Sequence, residues 1–95
     1  MRESDFQSKL IKELKEMFPG CIVTKNETYI QGFPDLTIYY KDKWATLECK
    51  RSKRAAKQPN QEHYVGIMNE MSFSRFIYPE NKEEVLHDLQ RSFEV

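Results

Sequence analysis

Two β-prone runs joined by three polar residues constrain this chain more than any other feature: Leu36-Thr37-Ile38-Tyr39-Tyr40 and Trp44-Ala45-Thr46-Leu47-Glu48-Cys49-Lys50, linked by Lys41-Asp42-Lys43. Aromatic and β-branched residues favour extended backbone, and so short a link points to an antiparallel hairpin. In a hairpin the start of the first strand lies beside the end of the second, and side chains alternate between faces. Asp35 is therefore expected beside Glu48 and Lys50, which share one face, while Cys49 points to the other.

The remaining segments have signatures of their own, and 95 residues suit one compact domain. Phe6, Leu10, Ile11, Leu14, Met17 and Phe18 recur at helical spacing, predicting an amphipathic first helix that Pro19-Gly20 ends. Ser4 with Gln7 resembles a capping box, which puts Glu3 at or just before the first turn, with a helical position the alternative. Cys21 to Thr24 reads as a short strand, and the polar stretch from Asn26 to Gly32 as a loop. Arg51 to Lys57 is a basic connector without apolar periodicity. Pro59 suits the first turn of a second helix, with Gln61, Tyr64, Val65, Met68 and Met71 inward. Phe73 to Tyr78 predicts another strand. Asn81 is the expected cap of a last helix with Val85, Leu86, Leu89 and Phe93 inward. The expected order is α-β-β-β-α-β-α, an α/β fold with no internal repeat.

Two carboxylates and an ammonium sharing one small site have a specific chemical consequence. Adjacent carboxylates repel, and one would take up a proton unless positive charge were supplied. A divalent metal supplies it. Mg²⁺ and Mn²⁺ prefer hard oxygen ligands, and Mg²⁺ keeps several waters beside one or two protein carboxylates and a substrate phosphate. Asp35, Glu48 and the backbone carbonyl of Cys49 form a suitable ligand set, with Lys50 placed to orient a water or stabilise phosphate oxygens. Singly, each residue is more often structural; the expectation rests on three of them meeting at paired strand ends.

Charge and composition narrow the partners. Lys plus Arg equals Asp plus Glu, so net charge gives no reason to expect nucleic acid. Its distribution does: seven basic residues (Lys41, Lys43, Lys50, Arg51, Lys53, Arg54, Lys57) lie between positions 41 and 57, against only Asp42 and Glu48. Arg51, Lys53, Arg54 and Lys57 are the candidates for following a phosphate backbone. Cys21 and Cys49 lack neighbours at zinc-binding spacing and read as small buried hydrophobes. No apolar run approaches the roughly 20 residues that span a bilayer, and the polar start does not resemble a signal peptide. A soluble, intracellular protein with no membrane partner is expected.

Gly32-Phe33-Pro34-Asp35-Leu36 followed by Glu48-Cys49-Lys50 resembles the motif of the PD-(D/E)XK nuclease superfamily, most of all its VRR-NUC branch. The resemblance covers nearly the whole chain, because the element order is similar to that superfamily's restriction-endonuclease-like αβββαβ core, a mixed sheet flanked by helices. It implies a Mg²⁺- or Mn²⁺-dependent DNA endonuclease directed to branched or structured DNA, as in small homodimeric Holliday-junction resolvases, many from bacteriophages. On that likeness Asp35 and Glu48 are metal ligands and Lys50 is catalytic. Glu3 matches the first-helix acid, and Gln61 the glutamine that follows the motif, with Gln58 a nearby competitor. The loop before Pro34 departs from the pattern: Asn26 to Gln31 stand where a Gly-containing segment is usual, which bears on substrate-side contacts.

From the residues alone, Glu3 lies four positions before Gln7 and seven before Leu10, so a helical start would turn it toward the sheet; a negative charge near a helix N-terminus is also favourable structurally. Gln61 shares the inward face of Tyr64 and Val65 and needs a polar partner there. Tyr29, Phe33 and Tyr64 are candidates for stacking on unpaired bases. His63 and His87 are expected at the surface. Two rival readings stay open: a non-catalytic nucleic-acid-binding module of the same fold, and a small protein-interaction domain whose acidic pair is incidental.

Overall fold

The structure is a computed structural model that describes residues 1–94. Its elements are α1 (Glu3–Met17), β1 (Ile22–Lys25), β2 (Leu36–Tyr40), β3 (Lys43–Cys49), α2 (Gln61–Met71), β4 (Ser74–Ile77) and α3 (Lys82–Phe93). The four strands form one mixed sheet in the order β1-β2-β3-β4, antiparallel except for the parallel β3/β4 pair. The central hairpin turns tightly, with Tyr40 paired to Lys43 and Lys41 at φ 57°.

Period-two alternation divides the sheet into two unlike faces. Leu36, Ile38, Ala45, Leu47, Cys49 and Ile77 join Phe6, Leu10, Leu14 and Phe18 of the α1 side and Val85, Leu86, Leu89 and Phe93 of α3 in one apolar cluster. Fully burying each large side chain in such a cluster stabilises by about 1.5–3 kcal/mol. At one end Phe18 packs edge-on against Phe93 and tilted against Tyr40, with ring centroids 5.1 and 5.2 Å apart. On the opposite face Thr37, Thr46, Ser74, Glu48 and Lys50 are all buried although polar. There α2 contacts β3 and β4, and Thr46 Oγ1 donates to Ser74 Oγ at 2.7 Å.

Local details differ from the sequence expectations in four places. The N-cap of α1 is Arg2, which makes no capping bond with its side chain; Ser4 lies inside the helix, and Arg2 pairs with Asp5 instead. Asn81 is the N-cap of α3, but its amide braces the preceding chain: Oδ1 accepts from the Tyr78 N–H and Nδ2 donates to the Phe76 carbonyl. Met71 is 68% exposed, because α2 ends there and its last turn passes the edge of the covered area; only Val65 and Met68 of that helix are buried. Cys49 is fully buried as expected, whereas Cys21 is only partly so. Among the described residues no helix is long and apolar enough to cross a membrane.

Candidate active site

Strand register brings the acids together. The pairing Leu36–Leu47, continued by one residue, sets Asp35 opposite Glu48 on the polar face. Asp35 is fixed there by its own hairpin partner: its Oδ2 accepts the backbone N–H of Cys49 at 2.9 Å. The approach to Asp35 is braced by Asn26, whose Nδ2 donates to the Pro34 carbonyl and to Thr37 Oγ1 at 3.0 and 2.8 Å. The Asn26 N–H also donates to the Asp35 carbonyl at 2.7 Å.

Glu48 is 2% exposed. Its Oε2 accepts from Gln61 Nε2 at 2.8 Å and lies 4.0 Å from Lys50 Nζ, while its Oε1 is buried with no hydrogen-bond partner among the described residues. Burial raises the Glu48 carboxyl above its usual range near 4.5, and the negative charge of the adjacent Asp35 raises it further. Lys50 opposes these effects without cancelling them, and the group is pushed up to about 8. A weak 4.0 Å contact therefore loses to desolvation and like-charge repulsion. Lys50, itself buried, donates to the Ala56 carbonyl at 3.1 Å, so the connector folds back over the amine.

These groups line one open cavity of about 340 Å³, together with Glu3, Arg51, Ala55, Ala56, Gln58 and Gln61. Glu3 is the first residue of α1 and exposed; partial burial raises its carboxyl, and the Asp35 charge adds to this. Gln58 and Gln61 both border the cavity, but only Gln61 bonds to Glu48, and its Oε1 accepts the Gln58 backbone N–H at 2.8 Å. Arg51, Lys53 and Arg54 are exposed and form no ion pair among the described residues. Lys57 is already engaged, 3.5 Å from Glu62 Oε1 and over the Phe76 ring. Both histidines are exposed.

The donor set fits a hard divalent cation. An acid whose pKa is raised by burial and by an adjacent acid, and a buried carboxylate oxygen without a partner among the described residues, are what a bound positive charge would relieve. No group of three or more His, Cys, Asp or Glu side chains gathers as a cage among the described residues. An ion here would have the carboxylates of Asp35 and Glu48 as its side-chain ligands, with water completing its shell; Cys49, whose carbonyl the sequence offered as a third ligand, is not among the residues that line the cavity.

Sequence reasoning missed three contributors: Asn26, the Ala56 carbonyl, and Gly32. Gly32 has φ 87°, and a Cβ there would stand 2.6 Å from the Asn60 carbonyl carbon and 2.7 Å from the Pro59 carbonyl oxygen. The loop carrying Pro34-Asp35 thus seats directly on the start of α2. A glycine two positions before Pro34 was the available signal, but its contact lies across the fold. Compared with known proteins, the chain has no significant match to a family model, a curated protein or a solved structure.

Proposed function

We propose that this protein is a Mg²⁺- or Mn²⁺-dependent DNA endonuclease with a PD-(D/E)XK, VRR-NUC-like active site on a restriction-endonuclease-like core. The observation that carries the reading is the pairing of Asp35 with Glu48 beside Lys50, with one buried oxygen of Glu48 left without a partner. The order α1-β1-β2-β3-α2-β4 is that expected of the core.

Asp35 and Glu48 would hold the ion, and Glu3 would face it across the cavity. When bound, such an ion lowers the pKa of a coordinated water and offsets charge developing on phosphate. Asp35 is kept in position by the Cys49 amide, and Gln61 fixes the Glu48 carboxylate. Lys50, freed from the Ala56 carbonyl or sharing it, would donate to a non-bridging phosphate oxygen or orient the attacking water. Arg51, Lys53 and Arg54 would contact flanking phosphates, giving affinity that falls with salt and carries little sequence information. A branched or otherwise structured substrate and a homodimeric assembly belong to the same proposal.

The test is cleavage of linear, nicked, flapped and four-way DNA with Mg²⁺, with Mn²⁺ and with EDTA, by the wild type, Asp35→Ala and Lys50→Ala. Metal-dependent cleavage that both variants lose is expected. Equal cleavage by all three proteins would remove the assignment, and DNA binding without any cleavage would favour a non-catalytic module.

A further inference from the structure

Beside the acidic cavity lies an aromatic group that hydrolysis does not use. Phe33 directly precedes Pro34-Asp35, and Tyr64 stands one turn beyond Gln61 on α2; their ring centroids are 6.3 Å apart with planes inclined at 53°. His63 meets Tyr64 edge-on at 5.0 Å. Both Phe33 and Tyr64 are half-buried and lie outside the apolar cluster. The seating of Gly32 on Asn60 joins the loop to the helix and so brings these rings together. Tyr29, in the same loop and within about 14 Å of chain from Phe33, is 97% exposed.

Flat rings left open to water cost apolar hydration, and the cavity lined by their chain neighbours Asp35 and Gln61 is also lined by the cations Lys50 and Arg51. Phosphate would satisfy the cations alone. The rings need a planar apolar partner, which continuous duplex DNA keeps stacked inside and a single strand exposes. Cationic grooves with stacking rings are the recurrent design for unpaired nucleic acid.

We infer that Phe33 and Tyr64, extended by Tyr29, form a stacking platform for unpaired bases of the strand whose phosphate enters the acidic cavity, so that single-stranded or frayed DNA is preferred over continuous duplex. The part concerning that phosphate rests on the proposed nuclease function; the platform itself is tested by binding alone.

The experiment titrates the full chain, in EDTA, into oligonucleotides carrying 2-aminopurine in a single-stranded flap, with the fully paired duplex of equal length as comparison. The wild type is expected to bind the flapped DNA more tightly and to change the probe's emission by stacking. Tyr64→Leu and Phe33→Leu should each weaken flap binding about 5- to 100-fold and move the flap-to-duplex affinity ratio toward one. Tyr29→Ser, at a side chain too exposed to affect folding, should reduce the ratio less. Tyr39→Ser, on the far end of β2, should retain it. Equal wild-type affinity for flap and duplex, or a wild-type ratio in both Tyr64→Leu and Tyr29→Ser, would overturn the platform. A wild type that shows no flap preference yet cleaves DNA in a metal-dependent way sinks the platform alone; a wild-type flap preference without cleavage sinks only the nuclease reading.

Discussion

On one face of the sheet Leu36, Ile38, Ala45, Leu47, Cys49 and Ile77 are sealed under α1 and α3; on the other, Thr37, Thr46, Glu48, Lys50 and Ser74 are buried to a similar degree but polar. The same strand supplies both. Residues 45, 47 and 49 of β3 face the apolar side, and 46, 48 and 50 the polar side, so the difference is set by side-chain chemistry and not by backbone. Burial stabilises on the first face. On the second it costs free energy wherever a charge lacks full compensation. Keeping Glu48 there beside a repelling neighbour works against stability, a cost that the proposed active site would account for.

The sharpest way to separate the faces is to change one residue on each. Lys50→Met keeps an unbranched stem and removes the charge; cleavage should fall about 1,000-fold in single-turnover assays, with the unfolding midpoint no lower than in the wild type. A drop in stability equal to the drop in activity would erase the distinction. Leu10→Ala on the apolar side should do the reverse, costing about 2–5 kcal/mol in urea unfolding while the folded fraction keeps its specific activity.

Gly32→Ala probes the seam between the loop and α2. The added methyl meets Asn60 and Pro59 at a positive φ, so a loss of about 1–3 kcal/mol is expected, with weakened metal-dependent cleavage because Asp35 follows in the same loop. Retention of both stability and activity would mean that the seam does not position Asp35.

The smallest expected effect has a characteristic pH dependence. Because the folded-state pKa of Glu48 is raised from 4.5 to about 8, the native protein binds the proton more tightly than the unfolded chain. Its ionisation penalty is absent below about pH 4.5, grows as pH rises, and is complete above about pH 8. Glu48→Gln should therefore raise the metal-free Tm at pH 8, with the gain largely gone at pH 5. A gain of equal size at both values would exclude ionisation as its source.

Much of the apolar face was legible in the sequence, because periodicity reports which side chains share a face. The hairpin, the spacing of α1 and the inward set Val85, Leu86, Leu89 and Phe93 could all be read that way. On the polar face the same alternation was enough to place Glu48 and Lys50 on one side with Asp35 opposite. What periodicity could not reveal were contacts made by backbone groups across the fold: the Ala56 carbonyl on Lys50, the brace from Asn26, and the seat of Gly32 on Asn60. Met71 went wrong for a related reason, since helical spacing does not say where the sheet beneath a helix ends. The Ser4 cap failed because its motif is local and the helix is capped two residues earlier, at Arg2.

Cys49 belongs to both faces at once. Its thiol fills the interior, while its amide clasps Asp35. Whatever side chain occupies this position is chosen by the fit of the hydrophobic layer, yet the backbone it anchors sets where an acid sits on the reverse side. Tailoring the interior at this point would shift the acid as a lever shifts its far arm, making a greasy, hidden side chain a tuning screw for the acid pair on the reverse side.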